Sequence, residues 1–156
     1  PLVLDADGIN ALAGHMDEWE RRRGRVTVLT PHEGEFLRVG GNLSQGRTAA
    51  AEDFARRSGA VVVLKGTGTV VAGPDGRCRV NTTGNCGMAK GGSGDVLSGV
   101  VLALLGLGMD AFDACCCAVW LHGRAGDLAA QEKGQWGMAP TDLLERLPQA
   151  LREVTE

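Results

Sequence analysis

The chain has 156 residues, which is enough for one domain or for part of one. Hydrophobic residues make up 44% of it and charged residues 22%, as in an ordinary globular protein. The formal net charge is -3, so no broad basic field is available to neutralise the phosphates of nucleic acid. We therefore expect no nucleic-acid partner.

The cysteines and the longest apolar stretch indicate in which compartment of the cell the protein works. Three of the five cysteines are consecutive (residues 115–117), so on a helix their side chains fan out and cannot converge on one metal ion. They are typical of buried, reduced thiols, and we expect a cytoplasmic protein. The stretch 96–107 is too short to cross a bilayer, so we expect a buried helix and no membrane partner.

Short apolar runs and turn residues predict the secondary structure in chain order. Strands are predicted at residues 2–4, 26–29 and 60–64, and a hairpin at residues 69–72 and 78–81. Helices are predicted at residues 9–15, 33–39, 48–58, 94–107 and 111–131, followed by a loop at 136–139 and a last helix capped by Thr141.

The alternation of strands and helices predicts an α/β fold with a mostly parallel sheet covered on both faces. In such sheets ligands bind at the carboxyl ends of the strands. Polar clusters fall at these predicted ends and at one helix start, at residues 5–7, 30–32, 65–68 and 91–95. This coincidence predicts an active site at that edge of the sheet.

A glycine-rich turn, Gly91-Gly92-Ser93-Gly94-Asp95, leads directly into an apolar helix. Exposed backbone N–H groups and the helix dipole favour a bound anion such as phosphate. Asp95 in the first helical turn is placed either to accept a proton from an attacking hydroxyl or simply to cap the helix. This motif is not a P-loop, because Lys90 precedes the glycines instead of following them. A second glycine pair, Gly66 and Gly68, is not a dinucleotide-binding fingerprint, because no third glycine follows it.

The motif lies within a longer segment that resembles a known family. The signature of the NAD(P)H-hydrate dehydratase family, Thr-Gly-Asn-Pro-Gly-Met-Ala-x-Gly-Gly-Thr-Gly-Asp-Val-Leu, is similar to residues 83–97, with Cys86 in place of proline and Ser93 in place of threonine. Segments 4–12, 29–35, 63–69 and 122–127 also look like parts of that family. The resemblance implies a ribokinase-like three-layer sandwich.

The family resemblance also implies a reaction. ADP, or ATP in some members, phosphorylates the hydroxyl of (S)-NADH or (S)-NADPH hydrate (NADHX or NADPHX), and phosphate then leaves to restore NAD(P)H and yield AMP. Mg²⁺ suits the oxygen ligands and nucleotide phosphates of such a site.

Carried over position by position, the resemblance assigns roles to residues of this sequence. Asp95 is implied as the catalytic base facing the hydrate hydroxyl, and His32 as a contact to the hydrate, although a bond to nearby backbone is the alternative for His32. Glu35 is implied to organise Mg²⁺ directly or through water, or else to be a solvated helix residue. The AMP part of the nucleotide is implied to contact Lys65, Gly66, Thr67, Gly68, Thr69 and Gly94, and the anion hole is implied to comprise Gly91, Gly92, Ser93 and Gly94.

Other polar residues receive weaker expectations. Asp5, Asp7 and Asn10 follow the first predicted strand and are expected to line the same cleft, whereas His15 and His122 are expected to be structural.

Complete members of the family are roughly twice as long. We therefore expect residues 1–156 to be the C-terminal portion of a single domain whose N-terminal part is missing from the sequence. We expect association with a chain supplying that part, or a homo-oligomer, and weak or absent activity from the 156 residues alone. Two alternatives stay open: a small-molecule kinase of the same fold acting on a vitamin precursor or sugar, and a non-catalytic nucleotide-binding fragment.

Overall fold

The structure is a computed structural model that describes residues 1–155, apart from the side chains of residues 16, 17 and 20. The strands are β1 (Leu2–Leu4), β2 (Thr27–Leu29), β3 (Val61–Leu64), β4 (Val70–Ala72) and β5 (Cys78–Val80). The helices are α1 (Ala6–Asn10), α2 (Met16–Arg21), α3 (Glu33–Arg38), α4 (Arg47–Ser58), α5 (Ser93–Gly106), α6 (Ala111–Gly137) and α7 (Pro140–Thr155), with a short 3-10 helix at Cys86–Met88.

The strands form one sheet in the order β1-β2-β3-β4-β5. The first three are parallel, with Val3 beside Val28 and Val28 beside Val61, and the predicted hairpin adds β4 and β5 antiparallel to this core. The ladder continues beyond the strands, since the Lys65 N–H donates to the Pro31 carbonyl at 2.8 Å. The carboxyl ends of β1, β2 and β3 therefore meet at one edge, as the sequence predicts.

Alternate residues of β3 pack against different helices, because successive side chains of a strand point to opposite faces. Val62 and Leu64 join the core formed with α3 and α4, whereas Val61 and Val63 join the core formed with α5 and α6. The predicted three-layer arrangement, with helices on both faces of a mostly parallel sheet, is confirmed.

The prediction for the first helix is wrong in position. It begins at Ala6 and ends at Asn10, rather than spanning 9–15, because the Asp5 carboxylate accepts the Ala6 N–H and caps the helix directly after β1. Turns occupy residues 11–14, where Gly14 has a φ of 80°, and the following α2 was not predicted.

The C-terminal helices also differ from the prediction. Helix α6 continues past residue 131 to Gly137, with a break at Gly134 (φ 70°), so the loop predicted at 136–139 is shorter. Thr141 does not cap the last helix. That helix begins at Pro140, before Thr141, and the Asp142 carboxylate accepts the Ala139 N–H.

The apolar stretch 96–107 is buried on one face only. Leu97, Val101 and Leu105 are buried, and burial of each such side chain contributes about 1.5–3 kcal/mol. Leu102 and Leu107 are exposed, so the expectation of a buried helix is wrong for the opposite face. Among residues 1–155, no helix combines the length and apolar character needed to cross a membrane.

Candidate active site

A cleft of about 1260 Å³ lies at the carboxyl ends of the parallel strands. It brings together the ends of β1, β2 and β3, the loop after β3, the glycine-rich loop (residues 82–92) and the start of α5. Every residue to which the sequence assigned a site role lines it: His32, Glu35, Lys65, Gly66, Thr67, Gly68, Thr69, Gly91, Gly92, Ser93, Gly94 and Asp95.

Helix α5 presents its N-terminus to the cleft without a side-chain cap. Its N-cap is Gly92, whose φ of 97° is accessible to glycine and rare for other residues. Asp95 is the third helical residue and is exposed. Its carboxylate does not cap the helix, so the alternative role as a helix cap is wrong. The helix dipole and the N–H groups of the first turn favour an anion here.

The Asp5 carboxylate and the Lys65 ammonium form an ion pair with an N–O distance of 2.6 Å. The second carboxylate oxygen of Asp5 accepts the Ser98 hydroxyl of α5 at 3.2 Å. Burial alone would raise the pKa of Asp5, but hydrogen bonding and charge attraction from Lys65 and the Ala6 N–H hold it below its ordinary value. Asp5 therefore carries a negative charge that fixes the Lys65 ammonium in the cleft.

The backbone of Gly94 fits closely beside this pair. A Cβ at Gly94 would lie 3.2 Å from an Asp5 carboxylate oxygen and 3.4 Å from the Lys65 nitrogen. The absence of a side chain thus lets the ammonium lie next to the N-terminus of α5. Together they give the cleft two sources of positive potential for a phosphate.

His32 and Glu35 form a capping box at the start of α3. The His32 Nδ1 accepts the N–H groups of Gly34 and Glu35, and the Glu35 carboxylate accepts the His32 N–H at 2.8 Å. The backbone contact expected as an alternative for His32 is therefore present at Nδ1. Since that nitrogen is an acceptor in the neutral ring, Nε2 carries the proton. Nε2 lies 3.4 Å from a Glu35 carboxylate oxygen, and the exposed ring lines the cleft.

The Glu35 carboxylate fits an indirect role toward Mg²⁺ better than direct ligation. It is buried, it is engaged by the His32 N–H, and the Lys65 ammonium lies 3.9 Å away. Within residues 1–155, apart from the three side chains excepted above, no group of three or more His, Cys, Asp or Glu is placed to hold a metal ion. Mg²⁺ bound to nucleotides commonly keeps several waters and needs only one or two carboxylates.

The loop after β3, Lys65–Thr69, is held from outside the cleft by Arg47 at the start of α4. The Arg47 guanidinium donates to the carbonyls of Leu64, Thr67 and Gly68. The sequence did not predict this role, because an arginine at the start of a helix is ordinarily a solvated residue.

The glycine-rich loop is fixed to α6 by polar side chains. The Asn81 amide donates to the Thr83 and Val119 carbonyls, and the Asp127 carboxylate accepts the Gly84 N–H and the Asn85 amide. Cys86, the residue that replaces proline, adds a contact of its own, because its thiol donates to the Gln135 side-chain oxygen of α6 at 2.8 Å. Asp127 belongs to the segment 122–127 that resembles the family, whereas Val119 lies one turn earlier in α6.

His122 is buried in α6 and contacts the start of α5. Its Nε2 donates to the Ser93 carbonyl at 2.9 Å, since a carbonyl can only accept. Burial lowers the pKa of His122 to about 4, and the nearby Lys65 charge acts in the same direction. The ring is neutral and structural, as expected, although it also lines the cleft.

Cys115 and several polar residues lie away from the cleft, whereas Cys86 lines it. Burial raises the pKa of the Cys115 thiol to about 12, so this residue is a core side chain and not a nucleophile. Asp7 and Asn10 do not line the cleft, which corrects the expectation for them, and Asn10 accepts a hydrogen bond from Arg38. His15 is exposed.

Comparison with known proteins agrees with the geometry. A family model described as NAD(P)H-hydrate dehydratase matches residues 1–149. The bifunctional NAD(P)H-hydrate repair enzyme Nnr of Thermofilum pendens is 46% identical over all of this chain and 30% of its own length. The ADP-dependent (S)-NAD(P)H-hydrate dehydratase of Neisseria meningitidis is 42% identical over 86% of this chain and 47% of its own length.

Solved structures share the fold. The ADP/ATP-dependent NAD(P)H-hydrate dehydratase of Bacillus subtilis, co-crystallized with ATP/Mg²⁺ and soaked with CoA, superposes with a TM-score of 0.83 at 34% identity, over 98% of this chain and 56% of that chain. A ribokinase-like superfamily protein of Enterococcus faecalis gives 0.81 at 26% identity, over 97% and 52%. The fold is ribokinase-like, and the chain spans about a third to a half of the length of these proteins.

Proposed function

The chain belongs to the NAD(P)H-hydrate dehydratase family, and from this membership we propose that it restores NAD(P)H from (S)-NAD(P)H hydrate in an ADP-dependent reaction yielding AMP and phosphate. One observation carries the proposal. The uncapped start of α5, the exposed Asp95 carboxylate and the Lys65 ammonium all line the same cleft. A phosphate site beside a free carboxylate is what phosphoryl transfer to a hydroxyl requires.

In the first step the hydrate hydroxyl attacks the terminal phosphorus of ADP. Asp95 accepts the hydroxyl proton as the new O–P bond forms, and the bond between that phosphorus and AMP breaks. In the second step the C–O bond of the phosphorylated ring breaks and phosphate leaves. A proton lost from the neighbouring carbon restores the double bond of NAD(P)H. Phosphorylation helps because phosphate is a far better leaving group than hydroxide.

The remaining residues bind and orient the two substrates. The loop Lys65–Thr69 and Gly94 hold the AMP part, and the N–H groups of Gly91–Gly94 stabilise the transferred phosphate as an anion hole. His32 contacts the hydrate through its Nε2. Mg²⁺ bound with the nucleotide would neutralise phosphate charge, and Glu35 would help to hold it through water.

We further propose that the protein works in the cytoplasm and as an assembly. Cys78, Cys86 and the cysteines of α6 are free thiols, as in reducing compartments. Within residues 1–155 strand β1 lies at one edge of the sheet with half-buried side chains, so its backbone groups can pair with a strand outside these residues, from the same protein or from a second copy. A mass measurement by light scattering tests the assembly, and a monomer in the full-length protein would contradict it.

The same site would also serve a small-molecule kinase. The start of α5 would bind the transferred phosphate and Asp95 would accept the proton of the substrate hydroxyl in either reaction. Product analysis separates the possibilities. The full-length protein is incubated with NADH hydrate, ADP and Mg²⁺, and the products are identified by mass spectrometry. NADH, AMP and phosphate support the proposal, whereas a stable phosphorylated substrate indicates a kinase and bound ADP without turnover indicates a binding module.

A further inference from the structure

Arg47 contacts three backbone carbonyls of one short loop. Its Nη1 donates to the carbonyls of Thr67 at 2.5 Å and Gly68 at 3.2 Å, and its Nη2 donates to that of Leu64 at 2.9 Å. The side chain is only 24% exposed. A planar guanidinium suits this task because its donors form a rigid fork, which a lysine ammonium cannot reproduce.

These contacts orient the peptide groups of the loop. The described chain contains no cis peptide bond, so the N–H of each peptide points opposite to its C=O. Because the carbonyls of Thr67 and Gly68 point toward Arg47, the N–H groups of Gly68 and Thr69 point away from it. Gly68 and Thr69 line the cleft, so these donors are available to a bound anion there.

Two neighbours define where the guanidinium lies. A Cβ at Gly66 would lie 2.7 Å from Arg47 Nη2, so the bare backbone of Gly66 leaves room for the guanidinium. On the other side, the Arg47 Nε lies 3.2 Å from the Glu33 carboxylate in the first turn of α3. Arg47 therefore joins the loop after β3 to the helix whose N-cap is His32.

We propose that Arg47 is a positioning residue for the nucleotide: it draws the loop carbonyls to itself and so presents the Gly68 and Thr69 N–H groups to ADP. It does not touch the reacting atoms. The identity of the ligand as a nucleoside diphosphate rests on the proposed function, whereas the ordering of the loop by Arg47 does not.

The test compares Arg47→Met and Arg47→Lys with Arg56→Met in the full-length protein. Arg56 lies on the same helix, and its guanidinium donates to the nearby surface carboxylate of Asp53. Arg47→Met leaves the loop carbonyls without their donor, so the loop is no longer held for the nucleotide and the Kd for ADP rises by roughly 10-fold or more. The value of kcat at saturating ADP and the KM for the hydrate stay within about 3-fold. Arg47→Lys is intermediate, and Arg56→Met binds ADP like the wild type.

Amide hydrogen exchange without ligand supplies a readout independent of catalysis. Exchange at residues 66–69 accelerates in Arg47→Met and not in Arg56→Met, while β3 and α6 stay protected. Unchanged ADP affinity in Arg47→Met, or exchange that accelerates equally throughout the protein, overturns the inference. A raised Kd for ADP in a protein that never yields NAD(P)H keeps the role of Arg47 and rejects the proposed dehydratase reaction.

Discussion

The Asp5 carboxylate joins three parts of the candidate site. It caps α1 through the Ala6 N–H, pairs with Lys65 beyond β3 and accepts the Ser98 hydroxyl of α5. The residue it caps, Ala6, has a positive φ of 46°, a conformation that costs about 1–2 kcal/mol outside glycine. The contacts of Asp5 hold this turn in place at the rim of the cleft.

Replacement of Asp5 by asparagine should lower the unfolding free energy by about 1–3 kcal/mol near neutral pH, because a charge-assisted pair is lost. The folded-state pKa of Asp5 lies below its ordinary value, so its stabilisation is complete above the unfolded pKa of about 3.9 and is lost as the pH falls through the folded value. Urea denaturation at several pH values from 6 to 2.5 checks this.

The difference between wild type and Asp5→Asn should therefore shrink below about pH 4. Asp7→Asn, two residues away in an exposed position, serves as the control and should show little difference at any pH. A difference for Asp5→Asn that stays constant down to pH 2.5 would argue against the Lys65 pair as its source.

At the scale of residues, the sequence predicted those site features that depend on residues close together in the chain. Glycines followed by Asp95 at a helix start indicated an anion site, and the residues expected to bind nucleotide, hydrate or Mg²⁺ line one cleft, whereas Asp7 and Asn10 do not. The role of Arg47 was not predictable, since its three acceptors are carbonyls 17 to 21 residues away in the chain. Backbone acceptors leave no side-chain signal in the sequence.

Packing between the glycine-rich loop and α6 depends on glycines of that helix. A Cβ at Gly123 would lie 2.2 Å from the Thr83 hydroxyl oxygen and 2.7 Å from the Thr83 carbonyl carbon. Contact with backbone cannot be relieved by rotating a side chain, so the loop would have to move. Gly99 in α5 offers a comparison, because nothing lies within 4 Å of its Cβ position.

Gly123→Ala should therefore destabilise the protein by about 1–3 kcal/mol through overpacking. Gly99→Ala should be neutral or stabilising by up to about 1 kcal/mol, because alanine favours a helix more than glycine does. Thermal unfolding of both variants checks this expectation. Equal melting temperatures for the two variants would mean that the glycine-rich loop can move away from residue 123 without loss of stability.

At the scale of elements, strands were easier to predict than helix ends. The valine run of β3 is apolar on both faces, as expected for a central strand covered by helices on both sides. The bounds of α1 failed because Asp5 caps the helix earlier than the apolar pattern suggests. Helix α6 was predicted too short because Gly134 interrupts its geometry without ending it.

Whole-molecule stability should depend on pH through His122. Its pKa falls from 6.5 to about 4 on folding, mainly by burial, so the folded state binds fewer protons than the unfolded state between these values. Stability is thus retained above pH 6.5 and declines as the pH drops toward 4, by on the order of 3 kcal/mol. His122→Gln keeps a donor for the Ser93 carbonyl without titrating.

Urea denaturation of the wild type and His122→Gln between pH 7 and 4 measures this term. The wild type should lose stability across the window relative to the variant, while His15→Gln, which changes an exposed histidine, should follow the wild type. If the unfolding free energies of the wild type and His122→Gln change with pH in the same way, burial of the neutral ring does not contribute to the pH dependence of stability.

At the scale of the molecule, the alternating pattern predicted a mostly parallel sheet, and family membership agrees with the resemblance of residues 83–97. The relative position of the cleft walls was not available from the sequence, because it depends on contacts such as that between residues 5 and 98. The central claim is that Asp95 acts as the base in ADP-dependent dehydration of the hydrate.

The most direct measurement follows absorbance at the reduced-nicotinamide band with NADH hydrate, ADP and Mg²⁺ in the full-length protein. Asp95→Ala is compared with Asp113→Ala, which removes another exposed aspartate from the first turn of a helix. We expect the absorbance of the wild type to rise only when ADP is present. For Asp95→Ala we expect kcat to fall by about 100-fold or more, because general-base catalysis typically contributes that much. Asp113→Ala should react at the wild-type rate. An ADP-dependent rise of undiminished rate in Asp95→Ala, or no rise in the wild type, would contradict the account.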